Sequence, residues 1–344
     1  MSRFKKILLL IGLGVCVAGA SVLYMYYTPA LASHNASVTV IYVDAAKENE
    51  ATENIIRQLT LTNGLRFPSF FRLLARQMNL EKGIKKGRYT VPQGTNMVGL
   101  VRILREGKTR STNLVIRPLS GLEKFAAKCG EKLEPDSTDY IRILQDSAFL
   151  SALGFTPATV YALLLPDTYN VLWHTAADEL LLRLKQEYTL YWNEERRAKA
   201  AQCGLTELEV ATLASIVAKE TNKNDEMPMV AGMYINRLRI NMPLQADPTV
   251  KFALKDAGLK RILNGHLQVQ SPYNTYLIKG LPPGPICIPS KQAIEAVLNF
   301  TEHSFLFMCA KEDFSGYHNF AKDYRSHLIN ARKYRKALDD KGIE

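Results

Sequence analysis

Glu220 is the residue of this 344-residue chain whose surroundings most suggest chemistry. It closes the run Thr206–Thr221, in which Thr206 and Glu209 form a capping box and mark a helix start. Leu213, Ile216 and Val217 make an apolar face on that helix, and Glu220 follows them at helical spacing on the same face. Burial in an apolar stripe strips water from a carboxyl and raises its pKa, so that it can donate a proton near neutral pH. Cleavage of a glycosidic bond needs such an acid. The helix alone leaves the plainer reading slightly ahead, a Glu at a helix end that turns to solvent.

The segments around it shift that balance. Tyr234-Ile235-Asn236-Arg237-Leu238 lies on a second expected helix, and Leu244-Gln245-Ala246-Asp247-Pro248-Thr249 reads as a polar loop. Ser271-Pro272-Tyr273-Asn274-Thr275-Tyr276 follows, then the stiff stretch Gly280-Leu281-Pro282-Pro283-Gly284-Pro285-Ile286. Aromatic rings beside amides and hydroxyls suit a sugar, whose apolar faces stack while its substituents accept and donate hydrogen bonds. Each segment alone reads as a structural turn; together they are more specific.

In this order the segments resemble the MltG/YceG-like endolytic murein transglycosylases. Ala214–Thr221, the INRL run, LQADPTV, SPYNTY and GLPPGPI carry the likeness, and Leu165-Pro166-Asp167-Thr168-Tyr169 resembles that family's upstream PDTY motif. The likeness covers roughly 160–330. It implies cleavage of the bond between N-acetylmuramic acid and N-acetylglucosamine without added water, leaving a 1,6-anhydro end, with Glu220 as sole acid and base. By motif, Asn236, Gln245, Asp247, Thr249, Tyr273, Asn274 and Tyr276 become substrate-binding candidates. No metal or organic cofactor is implied. Implied partners are peptidoglycan glycan strands and, beside them, peptidoglycan synthases. The chain departs from the family at Ala218, where Glu is common, at Tyr161-Ala162, at Ile288-Pro289-Ser290, and around His318, which stands without a second adjacent His. The loss of a Glu at 218 leaves Glu220 as the proton carrier; the other departures touch substrate contacts. Two further readings stand beside this one. In a hydrolase of the same polymer, Asp247 would be the second carboxylate. A non-catalytic glycan-binding scaffold would not need Glu220.

The N-terminus supplies the compartment. Arg3, Lys5 and Lys6 precede an uncharged run from Ile7 to Tyr27, and about 20 apolar residues suffice to cross a bilayer as a helix. Tyr24, Tyr26 and Tyr27 fall where an interfacial aromatic belt belongs, and the preceding positive residues keep the N-terminus inside. Ala30-Leu31-Ala32 resembles a cleavage site, but the length of the run favours an uncleaved anchor. The expected organisation is a cytoplasmic tail 1–6, a transmembrane helix 7–27, a small β/α module 38–110, a connecting segment 111–159 and a mixed α+β catalytic domain 160–344. The resemblance makes the module LysM-like and puts the catalytic domain on the extracytoplasmic side of a bacterial inner membrane. Within the module, Ser37–Val43 reads as a strand, Lys86–Val91 as a turn entering a short strand, and Phe67–Met78 and Asn96–Arg105 as helices.

The net charge of +11 favours an anionic partner. Its Lys and Arg residues are scattered, with short clusters such as Lys85-Lys86-Gly87-Arg88, and no RNA-binding aromatic signature accompanies them, so nucleic acid is not expected. The five cysteines form no C-x-x-C pair, which argues against a zinc site, and they read as small apolar residues.

Overall fold

A computed structural model describes residues 3–32, 38–43, 51–107, 111–256, 259 and 262–342. Met1 and Ser2 of the expected tail, and Ser37 of the first expected strand, lie outside the described residues. The fold is mixed α+β. The chain divides into two compact units, residues 1–113 with 170–175, and residues 114–169 with 176–344.

The first unit contains α1 (Arg3–Tyr27), β1 (Val38–Val43), α2 (Ala51–Asn63), α3 (Pro68–Gln77), α4 (Leu80–Gly83), β2 (Gly87–Pro92), α5 (Met97–Arg105) and the start of β3 (Ser111–Ile116). β1 and β2 pair antiparallel, Ile41 opposite Tyr89 and Thr39 opposite Val91. Alternation along the strands turns Ile41, Val43, Tyr89 and Val91 into the core. The face expected on α5 is buried there too, as Met97, Leu100, Val101 and Leu104. The Asn96 side chain caps that helix by accepting from Gly99 N at 2.8 Å. On α3, Phe71 and Leu74 are buried, while Phe70 and Met78 pack at the edge.

From Leu10 to Tyr27, α1 is apolar, with a mean hydropathy of 1.7, and it is long enough to cross a membrane. It leads directly into the module. Ala30 N donates to Thr95 O at 2.8 Å and Arg66 N to Ala30 O at 3.0 Å. Tyr24 packs edge-on to Phe67.

The second unit holds the rest: the end of β3, α6 (Leu122–Lys132), α7 (Ser137–Gln145), α8 (Ser147–Ala152), the first half of β4 (Asp167–Leu172), whose residues from Asn170 fall in the first unit, α9 (Ala177–Tyr191), α10 (Glu194–Gln202), α11 (Glu207–Glu220), α12 (Met227–Arg239), α13 (Asp247–Ala253), α14 (Lys291–Leu298), β5 (Phe307–Ala310), β6 (His318–Ala321) and α15 (Tyr324–Asp340). Of the segment 111–159, expected as a connection, residues 114–159 fall in this unit and carry α6 to α8.

At its centre, α11 packs against α12, α13 and α14. Every residue from Val210 to Val217 is buried, so the helix is enclosed on all sides instead of carrying a single apolar stripe. Burial of Leu213, Ile216 and Val217 contributes roughly 1.5–3 kcal/mol each. The two polar side chains in this stretch are satisfied locally, Thr212 Oγ1 donating to Leu208 O and Ser215 Oγ to Thr212 O. Ser215 also accepts from Ile286 N at 2.9 Å, which ties the Pro/Gly stretch to the helix. At Gly284 the stretch passes so close to Ala158 that a Cβ would stand 2.1 Å from the Ala158 carbonyl oxygen. Gly232 does the same for α12, lying against Thr301 and His303. β5 and β6 form an antiparallel hairpin with Ala310 opposite His318.

Of the cysteines, Cys129 and Cys287 are buried, Cys203 and Cys309 half-buried, and Cys16 exposed on α1; all five are free.

Candidate active site

Glu220 is the last residue of α11. Its capping box forms as expected, Thr206 N donating to Glu209 Oε2 at 2.7 Å and Glu209 N to Thr206 Oγ1 at 3.3 Å. Thr221 is extended, at φ −138° and ψ 142°, and stops the helix. The Glu220 carboxyl is therefore held at a helix C-terminus, where the helix dipole disfavours a negative charge.

A pocket of about 230 Å³ opens over this carboxyl. Glu220, Tyr234, Arg237, Gln245, Asp247 and Tyr276 line it, and the β5–β6 hairpin closes one side through Met308, Cys309 and His318. The Tyr234 hydroxyl donates to Glu220 Oε1 at 2.6 Å. Burial raises the Glu220 pKa to about 7, and the Asp247 charge pushes the same way; the Tyr234 hydrogen bond, His318 and Arg237 oppose them. Tyr234 is raised well above its ordinary value, chiefly by burial, and so stays a donor.

Arg237 organises the pocket from beneath. Its Nε donates to Leu306 O at 2.6 Å and its Nη1 to Leu244 O at 2.7 Å and Pro243 O at 3.2 Å. One buried guanidinium thus fixes both the entry to β5 and the loop before α13. Burial is the main influence on its pKa, and lowers it. In that loop Gln245 adopts a left-handed backbone, φ 49°, uncommon for a residue with a Cβ, and its N–H donates to Thr275 O at 2.9 Å. Asp247 follows at the first turn of α13, and Tyr276 Oη donates to its Oδ1 at 2.6 Å. Burial and the hydrogen bond to Asp247 both raise the Tyr276 pKa. Behind the hairpin, buried Glu226 accepts from His318 N at 2.6 Å and lies 2.9 Å from His318 Nδ1.

A family model described as YceG-like matches residues 45–333. The chain belongs to the YceG-like family. It is 26% identical over 277 residues to an endolytic murein transglycosylase of Bacillus subtilis, covering 75% of each chain. It is also 26% identical over 336 residues to an endolytic murein transglycosylase of Streptococcus pneumoniae, covering 88% of this chain and 60% of that protein. The crystal structure of a YceG-like protein from Listeria monocytogenes shares the fold, with a TM-score of 0.56 at 24% identity over 85% of this chain and 98% of that one.

The family motifs do not all reach the pocket. Glu220, Gln245, Asp247 and Tyr276 meet there. Asn236 instead spends its amide on the backbone, donating to His303 O at 2.7 Å and Phe305 O at 3.1 Å. Asn274 is buried and donates to Leu267 O and Val269 O at 2.8 and 2.9 Å. Thr249, also buried, binds Ala246 O and Thr275 Oγ1. These three hold the frame of the YceG-like site. Tyr273 packs on Phe252, ring centroids 4.7 Å apart, outside the pocket. Asp167 of the PDTY motif pairs with Lys291 at the start of α14, and Tyr169 Oη donates to Leu165 O at 2.7 Å. Sequence reasoning did not single out Tyr234, Arg237 or Glu226. The available signal was Tyr234 and Arg237 three apart on one helical face, two polar heads in an otherwise apolar stretch.

Proposed function

We propose that the chain is an endolytic murein transglycosylase that cleaves the β-1,4 bond between N-acetylmuramic acid and N-acetylglucosamine and trims nascent strands. The observation that carries this reading is the Glu220 carboxyl on the pocket wall, with a pKa of about 7 and one oxygen held by Tyr234. Both protonation states are then populated near neutral pH, as a single group acting first as acid and then as base requires.

In the first step Glu220 gives its proton to the glycosidic oxygen, and the C1–O bond breaks with its electron pair leaving on N-acetylglucosamine. In the second, ionised Glu220 takes the proton of the muramic C6 hydroxyl as that oxygen bonds to C1. The 1,6-anhydro ring closes, Glu220 recovers its proton, and no water is consumed. Gln245, Asp247 and Tyr276 orient the sugar beside it.

Full-length protein incubated with purified peptidoglycan, with the muropeptides weighed by mass spectrometry, tests this. Anhydro-ended products are expected, and Glu220→Gln abolishes them while its circular dichroism stays that of the wild type. Cutting at wild-type rate by that variant would rule Glu220 out. A second reading, hydrolysis, draws on the presence of Asp247 in the same pocket; reducing ends would identify it.

In this reading α1 anchors the protein in the inner membrane, with residues 1–6 inside and the catalytic unit on the extracytoplasmic side. The length and apolarity of Leu10–Tyr27 support the anchor. The first unit acts as a LysM-like module that holds glycan, supported by its antiparallel β1–β2 pair with helices between the strands. Peptidoglycan synthases are the expected neighbours, and crosslinking in membranes checks that assignment.

A further inference from the structure

A second groove, of about 670 Å³, lies in the same unit as the Glu220 pocket. Lys124 of α6, Lys219 of α11, Lys251 of α13 and Lys255 just beyond it line the groove, with the half-buried ring of Phe252 among them. Glu123 is the one carboxylate on this lining. Among the described residues, none of the four lysines takes part in an ion pair, whereas Lys128, Lys199 and Lys291 elsewhere in the unit do. Four ammonium groups against one carboxylate repel one another and favour an anionic occupant.

The groove and the pocket are both built on α11 and α13. Lys219 lines the groove and the next residue, Glu220, lines the pocket; Pro248 lines the groove and the preceding Asp247 lines the pocket. A strand cut at Glu220 is therefore held by helices that also carry Lys219 and Lys251. Phe252 sits in an aromatic row, its centroid 6.4 Å from that of Tyr161 and 4.7 Å from that of Tyr273. The row gives the groove an apolar floor beside its charges.

We propose that this groove is a subsite for the peptide stem carried on the murein strand, with Lys124, Lys219, Lys251 and Lys255 taking the stem carboxylates and Phe252 its aliphatic part. The inference rests on the transglycosylase reading for its substrate. In the intact polymer each muramic lactyl carboxyl is tied up in the amide to its stem, so the free carboxylates are carried on the stems; removing a stem by hydrolysis frees the lactyl carboxylate. A lysine-lined groove beside the cutting site thus selects stem-bearing strands over stripped ones.

The test uses full-length protein and two substrates from one source, uncrosslinked glycan strands with their stems and the same strands stripped by an amidase, their freed lactyl carboxyls then capped as neutral amides. The readout is the ratio of kcat/KM on stem-bearing to stripped strands. In Lys251→Gln/Lys255→Gln the ratio falls about tenfold, the size expected for losing charge-assisted hydrogen bonds. The fall appears in KM more than in kcat. Lys124→Gln, on a separate helix, shifts the ratio the same way. In the wild type the ratio falls as salt is raised. A ratio unchanged in both variants overturns the subsite. If the wild type yields no anhydro products, binding of the two soluble polymers, fluorophore-labelled and read by fluorescence anisotropy, decides the subsite separately. A preference for stem-bearing polymer that both variants lose supports it, and equal binding of the two polymers by the wild type refutes it.

Discussion

The Tyr234 hydroxyl lies 2.6 Å from Glu220 Oε1 and donates to it, so the half-buried carboxyl keeps one strong partner for its ionised form. That bond opposes the desolvation that raises the Glu220 pKa. Tyr234→Phe removes it and leaves the ring in place. The Glu220 pKa then rises further, and the pH–rate profile moves to higher pH. A profile identical to that of the wild type would disprove the coupling.

Asp247→Asn moves the profile the opposite way. The Asp247 charge raises the Glu220 pKa, so neutralising it lowers that pKa and shifts the optimum to lower pH. In a transglycosylase the products of this variant keep their anhydro ends, formed more slowly. Mass spectrometry checks the ends, and a switch between reducing and anhydro ends would make Asp247 a reacting group.

Stability should depend on pH through Glu220. Its folded pKa is about 7 against an ordinary 4.5. Below pH 4.5 the carboxyl is neutral in both the folded and unfolded chain and costs nothing. Between 4.5 and 7 the unfolded chain releases the proton first, so stability falls as pH rises, by roughly 3 kcal/mol at most. Glu220→Gln escapes that loss. Denaturant titrations are expected to find the variant more stable than the wild type at pH 8, with the gap closing at pH 4.

Arg237→Lys is expected to destabilise the second unit by about 3 kcal/mol, because an ammonium cannot serve Leu306 O, Leu244 O and Pro243 O together and buried carbonyls go unpaired. kcat falls with it, since the same carbonyls set the loop that carries Gln245 and Asp247. Thermal unfolding alongside kinetics checks both; a Tm within one degree of the wild type would contradict this role.

The local parts of the site were legible in the sequence. The Thr206–Glu209 box, the apolar α11 and the placement of Glu220 at its end depend on neighbours a few residues apart. Side-chain roles were less so. Asn236, Thr249 and Asn274 have the chemistry of sugar ligands, yet their polar atoms are spent on backbone groups as far away as His303 and Phe305. Residue type cannot distinguish an amide that binds a ligand from one that binds a turn. Glu226 and His318 are remote in sequence and meet only when the β5–β6 hairpin folds over the end of α11. The apolar stripe on α11 was likewise half the fact, since small Ala211, Ala214 and Ser215 fill its other side and are equally buried.

The join between α1 and the first unit sets a distance. Four residues past the end of the helix, Leu31 already bridges to Leu65, and Ala30 is hydrogen-bonded on both sides. With α1 in a bilayer, the module has no leash. In the proposed orientation it sits against the outer face, and the membrane becomes a ruler. A module that holds glycan, as proposed, then meets the strands nearest the bilayer surface.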